Sequence, residues 1–106
     1  GDGSFQMSMM ELATIVQEKL PVKIIVMRNN RLGMVRELQT KNYADNQTAV
    51  HLTEGNPDFT AIAKAYGIEA ECVSTMAEAE KAIERLASCK GPYFLECNVF
   101  KNESTL

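Results

Sequence analysis

Apolar residues recur on one helical face between residues 4 and 20. Phe5, Met9, Leu12, Val16 and Leu20 follow one another at steps of four and three. Gln6, Ser8, Glu11, Gln17 and Glu18 mostly fall elsewhere on the wheel. The spacing predicts an amphipathic helix that Pro21 ends. Ser8 and Glu11 have the spacing of a capping box, but the stripe begins before them, so that match is set aside. The period then changes. Residues 22–27 read Val-Lys-Ile-Ile-Val-Met, a short, β-branched and nearly continuous apolar run between Pro21 and Asn29-Asn30. Such a run predicts a strand covered on both faces, the kind found in parallel sheets. Residues 31–40 predict a second helix with Leu32, Val35 and Leu38 on one side. From Thr40 to Gly55 the pattern dissolves into Asn, Asp, Gln and Thr, which predicts a loop.

Asn56-Pro57-Asp58 reads as a helix start. Asn caps, Pro suits the first helical position, and Asp favours the positive end of the dipole. Phe59, Ile62, Ala63 and Tyr66 form the stripe of that helix, and Gly67 supplies a left-handed exit. Residues 69–74 predict a weaker strand. Thr75 and Glu78 form a capping box opening a helix whose apolar face is Met76, Ala79, Ile83 and Leu86. Gly91-Pro92 ends it, and residues 92–100 predict the last strand, followed by a polar tail over 101–106. Strand and helix alternate throughout. The fold class expected is α/β, with a mostly parallel sheet, flanking helices and right-handed crossovers. There are no internal repeats and no low-complexity segments.

Composition narrows the picture. The 106 residues suit one domain, and 45% hydrophobic with 24% charged residues is ordinary globular chemistry. No apolar run approaches the ~18 residues a membrane helix needs, and the first twenty residues do not form a signal peptide. A net charge of −3 gives nucleic acid no electrostatic support. Cys72, Cys89 and Cys97 are odd in number and lack a C-x-x-C spacing, so they read as reduced thiols in a cytoplasmic protein. Cys72 and Cys97 fall in predicted strands and read as buried and inert. The single histidine, His51, excludes a His-rich metal site and reads as a surface residue without a catalytic role. Met7, Met9 and Met10 read as core packing. Glu78, Glu80, Lys81, Glu84 and Arg85 read as a solvated helix face. Glu54 and Glu96 have no carboxylate partner at a useful spacing, so no acid–base pair is assigned.

The chain opens on Gly1-Asp2-Gly3 without an initiator Met, which suggests a piece of a longer polypeptide. In parallel α/β sheets, ligands sit outside the carboxyl ends of the strands. Two loops belong to that edge here: Gly1-Asp2-Gly3-Ser4, and Asn29-Asn30-Arg31 after the first strand. Asp2 and Asn29 lie 27 positions apart, the length of one turn, helix, return loop and strand. Adjacent strands would hold the two loops roughly 5 to 10 Å apart. Asp2 offers a carboxylate oxygen, Asn29 an amide oxygen, and a main-chain carbonyl near Arg31 a third. These are hard-cation ligands, and Mg²⁺ completes such a set with phosphate and water oxygens. The glycines allow close backbone approach to phosphate, and the helix beginning near Ser4 directs free N–H groups toward an anion. Against this stands the plain reading of Gly-Asp-Gly as an ordinary turn and Asn-Asn as an ordinary loop pair.

Gly1-Asp2-Gly3-Ser4-Phe5, then about twenty-five residues and an Asn, resembles the thiamine-diphosphate motif. Glu11-Leu12, Leu20-Pro21-Val22-Lys23-Ile24, Leu32-Gly33-Met34-Val35, Asn56-Pro57-Asp58-Phe59 and Ala65-Tyr66-Gly67 narrow the resemblance to the acetolactate (acetohydroxyacid) synthase family. It covers nearly the whole chain. It implies a partial thiamine-diphosphate-binding fold: residues 1–106 as the C-terminal cofactor domain of the catalytic subunit, short of its first strands and final tail. It further implies that Asp2, Asn29 and the main-chain oxygen of Arg31 bind Mg²⁺, and that Gly1, Gly3 and Ser4 lie by the diphosphate. Leu32, Gly33, Met34 and Val35 would complete the cofactor site, with Met34 and Val35 toward the thiazolium and the substrate channel. The family chemistry is decarboxylation of pyruvate and condensation of the two-carbon unit with a second 2-ketoacid. The family's activating glutamate lies in another domain and its FAD binds mainly elsewhere, so no catalytic residue is expected here and the isolated chain should be inactive. A homo-oligomer is implied, a regulatory subunit is left open, and neither nucleic acid nor membrane is expected as partner.

Two positions depart from the family. Arg28 stands beside the metal position in place of Asn or Asp, where it would either weaken metal binding or turn away to a phosphate or carboxylate. Leu38 stands where many members have Trp, which affects the choice of second substrate. Two other readings are another thiamine-diphosphate decarboxylase or carboligase, and a non-catalytic association module whose uncovered strand edge invites pairing.

Overall fold

The computed structural model describes residues 1–102 of the chain. Three parallel strands, β1 (Lys23–Arg28), β2 (Glu69–Val73) and β3 (Tyr93–Asn98), form one sheet in the order β1-β3-β2. Tyr93 stands opposite Lys23 on one side and Glu69 on the other, so all three strands start level. Helices precede and separate them: α1 (Asp2–Ser8), a 3-10 turn (Met9–Glu11), α2 (Leu12–Gln17), α3 (Gly33–Asn42), α4 (Phe59–Ala65) and α5 (Met76–Ser88). This is the α/β architecture with a parallel sheet and flanking helices that the alternating pattern predicts.

The alternation of side chains along β3 builds two cores. Phe94 joins Leu12, Val26, Phe59, Ala63 and Ile68 on one face, with Phe5, Met9, Ile15 and Ile24 packed around them. Phe5 meets Phe59 edge-on at 5.2 Å between ring centres and lies 5.1 Å from Phe94. Tyr93 and Leu95 join Val73, Ala82 and Leu86 on the other face, beneath α5. The doubly covered strand is therefore β3, not β1 as the apolar run suggests. On β1, Val26 is buried while Ile25 and Met27 remain 51% and 48% exposed. The reason is position: among the described residues β1 lies at the edge of the sheet, and α5 packs over β2 and β3.

Other expectations are corrected in the same way. The first helix is interrupted by the 3-10 turn and closes at Gln17, with Lys19 at φ 52° ahead of Pro21. The N–H of Leu20 donates to the Ile15 carbonyl there. The break rotates the stripe, so Ile15 packs inward while Val16 and Leu20 are exposed. Met7 and Met10 are exposed too, and only Met9 packs. On α4, Phe59, Ile62 and Ala63 face inward but Tyr66 does not; on α5, Ala79, Ala82 and Leu86 do, while Met76 and Ile83 are exposed. The α5 capping box forms as read, with Thr75 Oγ1 accepting from the Glu78 N–H and Glu78 accepting from Thr75. Gly67 leaves α4 at φ 85°. Residues 103–106 of the polar tail lie outside the described residues.

Candidate functional site

Asp2 opens α1 with Gly1 as its N-cap, and the first N–H paired inside the helix is that of Phe5, donated to the Gly1 carbonyl at 3.0 Å. The N–H groups before Phe5 therefore have no partner within the helix. Gly1 sits beside the end of β1, where a Cβ would lie 3.8 Å from the Met27 carbonyl oxygen. Asp2 is 1% exposed, an unusual place for a carboxylate. Its Oδ2 accepts from the Asn30 backbone N–H at 2.8 Å and from Asn56 Nδ2 at 2.7 Å. Both donors are neutral, so the carboxylate is solvated by amides rather than neutralised by a cation.

Asn29, Asn30 and Arg31 form the turn that leaves β1. Asn29 Oδ1 accepts the Arg31 N–H at 3.0 Å, an Asx turn that aims this oxygen into the loop and leaves it a second lone pair. Asn30 takes φ 56°, a conformation Asn tolerates better than most residues. Residues 30–32 then pair with residues 50–52. Leu52 N–H donates to the Asn30 carbonyl and Leu32 N–H to the Val50 carbonyl, each at 2.9 Å, flanking an antiparallel Arg31–His51 bridge. Arg31 thus occupies a non-hydrogen-bonded position, and its own carbonyl points away from that pairing. His51 is exposed.

The two loops meet at the carboxyl edge of the sheet, as the 27-residue spacing anticipates: Asp2 touches Asn30, next to Asn29. One carboxylate, one amide oxygen and one carbonyl are the donors available there. Among the described residues no group of three or more His, Cys, Asp or Glu side chains could hold a metal, so a cation at this rim would rest on a single protein charge. Ser4 is exposed at the rim. Gly3 is not open to solvent on its α-carbon side. A Cβ there would lie 2.6 Å from Leu32 Cδ2 and 3.3 Å from Leu52 Cδ1, so part of the room glycine leaves is filled by Leu32. Gly33 begins α3, and Met34, 74% exposed, projects with Val35 from its first turn.

Arg28 reaches to β3 and to the segment before α4 while keeping one bond to the Asn30 side chain. Its Nη1 meets Glu96 Oε1 at 3.2 Å and the Pro57 carbonyl at 2.9 Å, its Nε donates to Asn30 Oδ1 at 2.9 Å, and its guanidinium lies 5.2 Å above the Phe59 ring. Arg28 pairs with a carboxylate, Glu96. Glu96, 4% exposed, has Arg28 of the neighbouring strand as its partner, not a second carboxylate. Cys72 is exposed rather than buried, opposite Glu96 on β2. Partial burial and then the Glu96 charge push its thiol pKa up, and the same two causes act on Cys97. Both thiols are poor nucleophiles at neutral pH.

Asn56 is the residue sequence reasoning placed wrongly. Asp58 caps α4 by accepting the Ala61 N–H at 3.0 Å, and Pro57 lies before the helix. Asn56 is thereby released to join Asp2 and Asn30. No local signal announces this, since the partners are 54 and 26 residues away.

Comparison with known proteins gives the family to which the chain is similar. Residues 1–97 match the family described as thiamine pyrophosphate enzyme, C-terminal TPP binding domain. The chain is 42% identical over 104 residues to the acetolactate synthase large subunit of Pyropia yezoensis, covering 98% of this chain and 18% of that protein. It is 36% identical over 104 residues to the acetolactate synthase isozyme 2 large subunit of Escherichia coli (strain K12), covering 98% of this chain and 19% of that one. Among solved structures, benzoylformate decarboxylase from Polynucleobacter necessarius superposes with a TM-score of 0.88 at 30% identity, over 100% of this chain and 20% of that one. The chain spans about a fifth of the length of these curated relatives.

Proposed function

Because the chain belongs to the thiamine pyrophosphate enzymes, through their C-terminal TPP binding domain, we propose that it is the cofactor-holding part of an acetolactate synthase large subunit. In this reading Asp2, the Asn29 amide oxygen and the Arg31 main-chain carbonyl hold Mg²⁺, and the diphosphate lies along Gly1, Gly3 and Ser4. Leu32 and Gly33 shape the loop beneath it, while Met34 and Val35 border the thiazolium and the substrate channel. The observation that carries the reading is the buried Asp2 carboxylate, held by neutral donors against the very turn that presents Asn29. A cation there supplies the charge that burial otherwise leaves uncompensated.

Thiamine diphosphate, when bound, supplies the electron sink for decarboxylating a 2-ketoacid such as pyruvate and passing the two-carbon unit to a second 2-ketoacid. The residues of this chain bind and orient; none is assigned as acid or base. FAD in the parent enzyme, a homo-oligomer, a regulatory subunit and a cytoplasmic setting belong to the same proposal. The identity to large subunits of acetolactate synthase supports it. No helix among the described residues is long and apolar enough to cross a membrane.

The test is calorimetric. Mg²⁺-thiamine diphosphate should bind a complete large subunit carrying this chain, and Asp2→Ala or Asn29→Ala should abolish that binding while leaving the fold intact. Unchanged binding by both variants overturns the assignment. The 106-residue chain alone should form no acetolactate from pyruvate. A second reading, a related 2-ketoacid decarboxylase, draws on the 30% identity to benzoylformate decarboxylase. Carbon dioxide release from benzoylformate without acetolactate formation from pyruvate would favour it.

A further inference from the structure

Asn56 holds both loops of the site at once. Its Nδ2 lies 2.7 Å from Asp2 Oδ2 and 2.8 Å from Asn30 Oδ1, and its Oδ1 accepts from Gln6 Nε2 at 2.5 Å. The amide orientation is dictated by its neighbours. A flipped side chain would set Oδ1 against two acceptor oxygens and Nδ2 against a donor. The two hydrogens of Nδ2 therefore go to α1 through Asp2 and to the turn after β1 through Asn30. The main chain of the 56–57 segment is tied down as well, since Arg28 Nη1 binds the Pro57 carbonyl and Nη2 approaches the Asn56 carbonyl at 3.5 Å. Arg28 is in turn braced by Glu96 on the central strand. Asn56 thus hangs from a support that both outer connections of the sheet share.

We propose that Asn56 is a positioning residue for the cation site: it occupies Asp2 Oδ2 so that Oδ1 is the oxygen offered to the metal, and it sets the separation between Asp2 and the Asn29–Arg31 turn. This rests on the Mg²⁺ reading above and extends it to a residue outside the sequence motif. Outer partners of metal-binding carboxylates orient them, and losing one weakens metal binding about tenfold to a hundredfold. The charged groups around Asn56 are Asp2 from α1, Arg28 from β1 with its partner Glu96 from β3, and Asp58 two residues along its own segment.

The experiment titrates Mg²⁺-thiamine diphosphate calorimetrically into the complete large subunit, between pH 6 and 8, for the unaltered protein, Asn56→Ala and Asn56→Asp. Thermal unfolding without metal is measured alongside. Asn56→Ala should bind at least about tenfold more weakly. Asn56→Asp keeps the shape but sets two carboxylates side by side, where they share a proton. Its affinity should therefore rise with pH more steeply than that of the unaltered protein. Equal affinity in Asn56→Ala and an unaltered pH profile in Asn56→Asp overturn the proposal, even if both variants melt lower, and leave Asn56 with a role in folding alone. Failure of the unaltered protein to bind is a different outcome and removes the Mg²⁺ reading itself, and this proposal with it.

Discussion

Arg28 and Glu96 form a nearly enclosed ion pair, Nη1 to Oε1 at 3.2 Å, between the edge strand and the central strand. They stand two residues out of register, since Glu96 is opposite Val26 and Arg28 is opposite Asn98. The guanidinium spends its other donors on Asn30 and on the carbonyls of residues 56 and 57, so one side chain fastens β1, β3 and the approach to α4. Replacing Arg28 with Met strands a buried carboxylate and should cost about 3–5 kcal/mol in urea unfolding. Replacing both residues with apolar ones should cost much less than the sum of the single changes.

Gly3 is needed for close approach rather than for a left-handed backbone. Gly3→Ala brings a Cβ within 2.6 Å of Leu32 Cδ2. That carbon is the end of a side chain, so Leu32 moves and the loss should be about 1–3 kcal/mol. In a Leu32→Ala background the same change should cost almost nothing. A double-mutant cycle by denaturant unfolding measures the difference.

Thr75 starts α5 with both halves of its capping box in place. Thr75→Ala should lower stability by about 1 kcal/mol, and Thr75→Ser by a few tenths. Urea midpoints at constant m-value check this.

Glu71, Arg85 and Tyr93 make stability depend on pH at both extremes. The Arg85 guanidinium, bonded to Glu71 at 2.6 and 2.8 Å, outweighs partial burial and holds the Glu71 pKa below the usual carboxylate range. Its contribution is present at neutral pH and is lost as the pH falls through that lowered value. Burial, and then Glu71, raise Tyr93 from 10 to about 12. The folded state therefore keeps the phenol proton longer, and stability is lost as the pH climbs from 10 toward 12. Tyr93→Phe should flatten that alkaline fall, and Glu71→Gln should flatten the acid one. Urea midpoints at a series of pH values read both.

How far local pattern reaches is visible residue by residue. Thr75, Glu78 and Gly67 behave as their neighbourhoods dictate, because capping and left-handed exits are settled within four residues. The meeting of Asp2 with the Asn29-Asn30 turn is nearly as legible, since one helix and one parallel strand have a set length and must end at the same edge. Asn56 is misread because two chemically sound caps, Asn56 and Asp58, compete locally, and the distant partners of Asn56, namely Asp2, Asn30 and Gln6, decide between them.

The α/β alternation, the parallel strands, the caps and the two loops of the site were determined by the sequence, through periodicity and short-range hydrogen bonding. The tertiary structure alone decided that β3 lies at the centre of the described sheet with both faces covered, that Glu96 serves Arg28, and that Asn56 serves Asp2. Those outcomes depend on strand order and on contacts between residues far apart along the chain. A periodic pattern states that a face is apolar; only the packed arrangement states what, if anything, covers it.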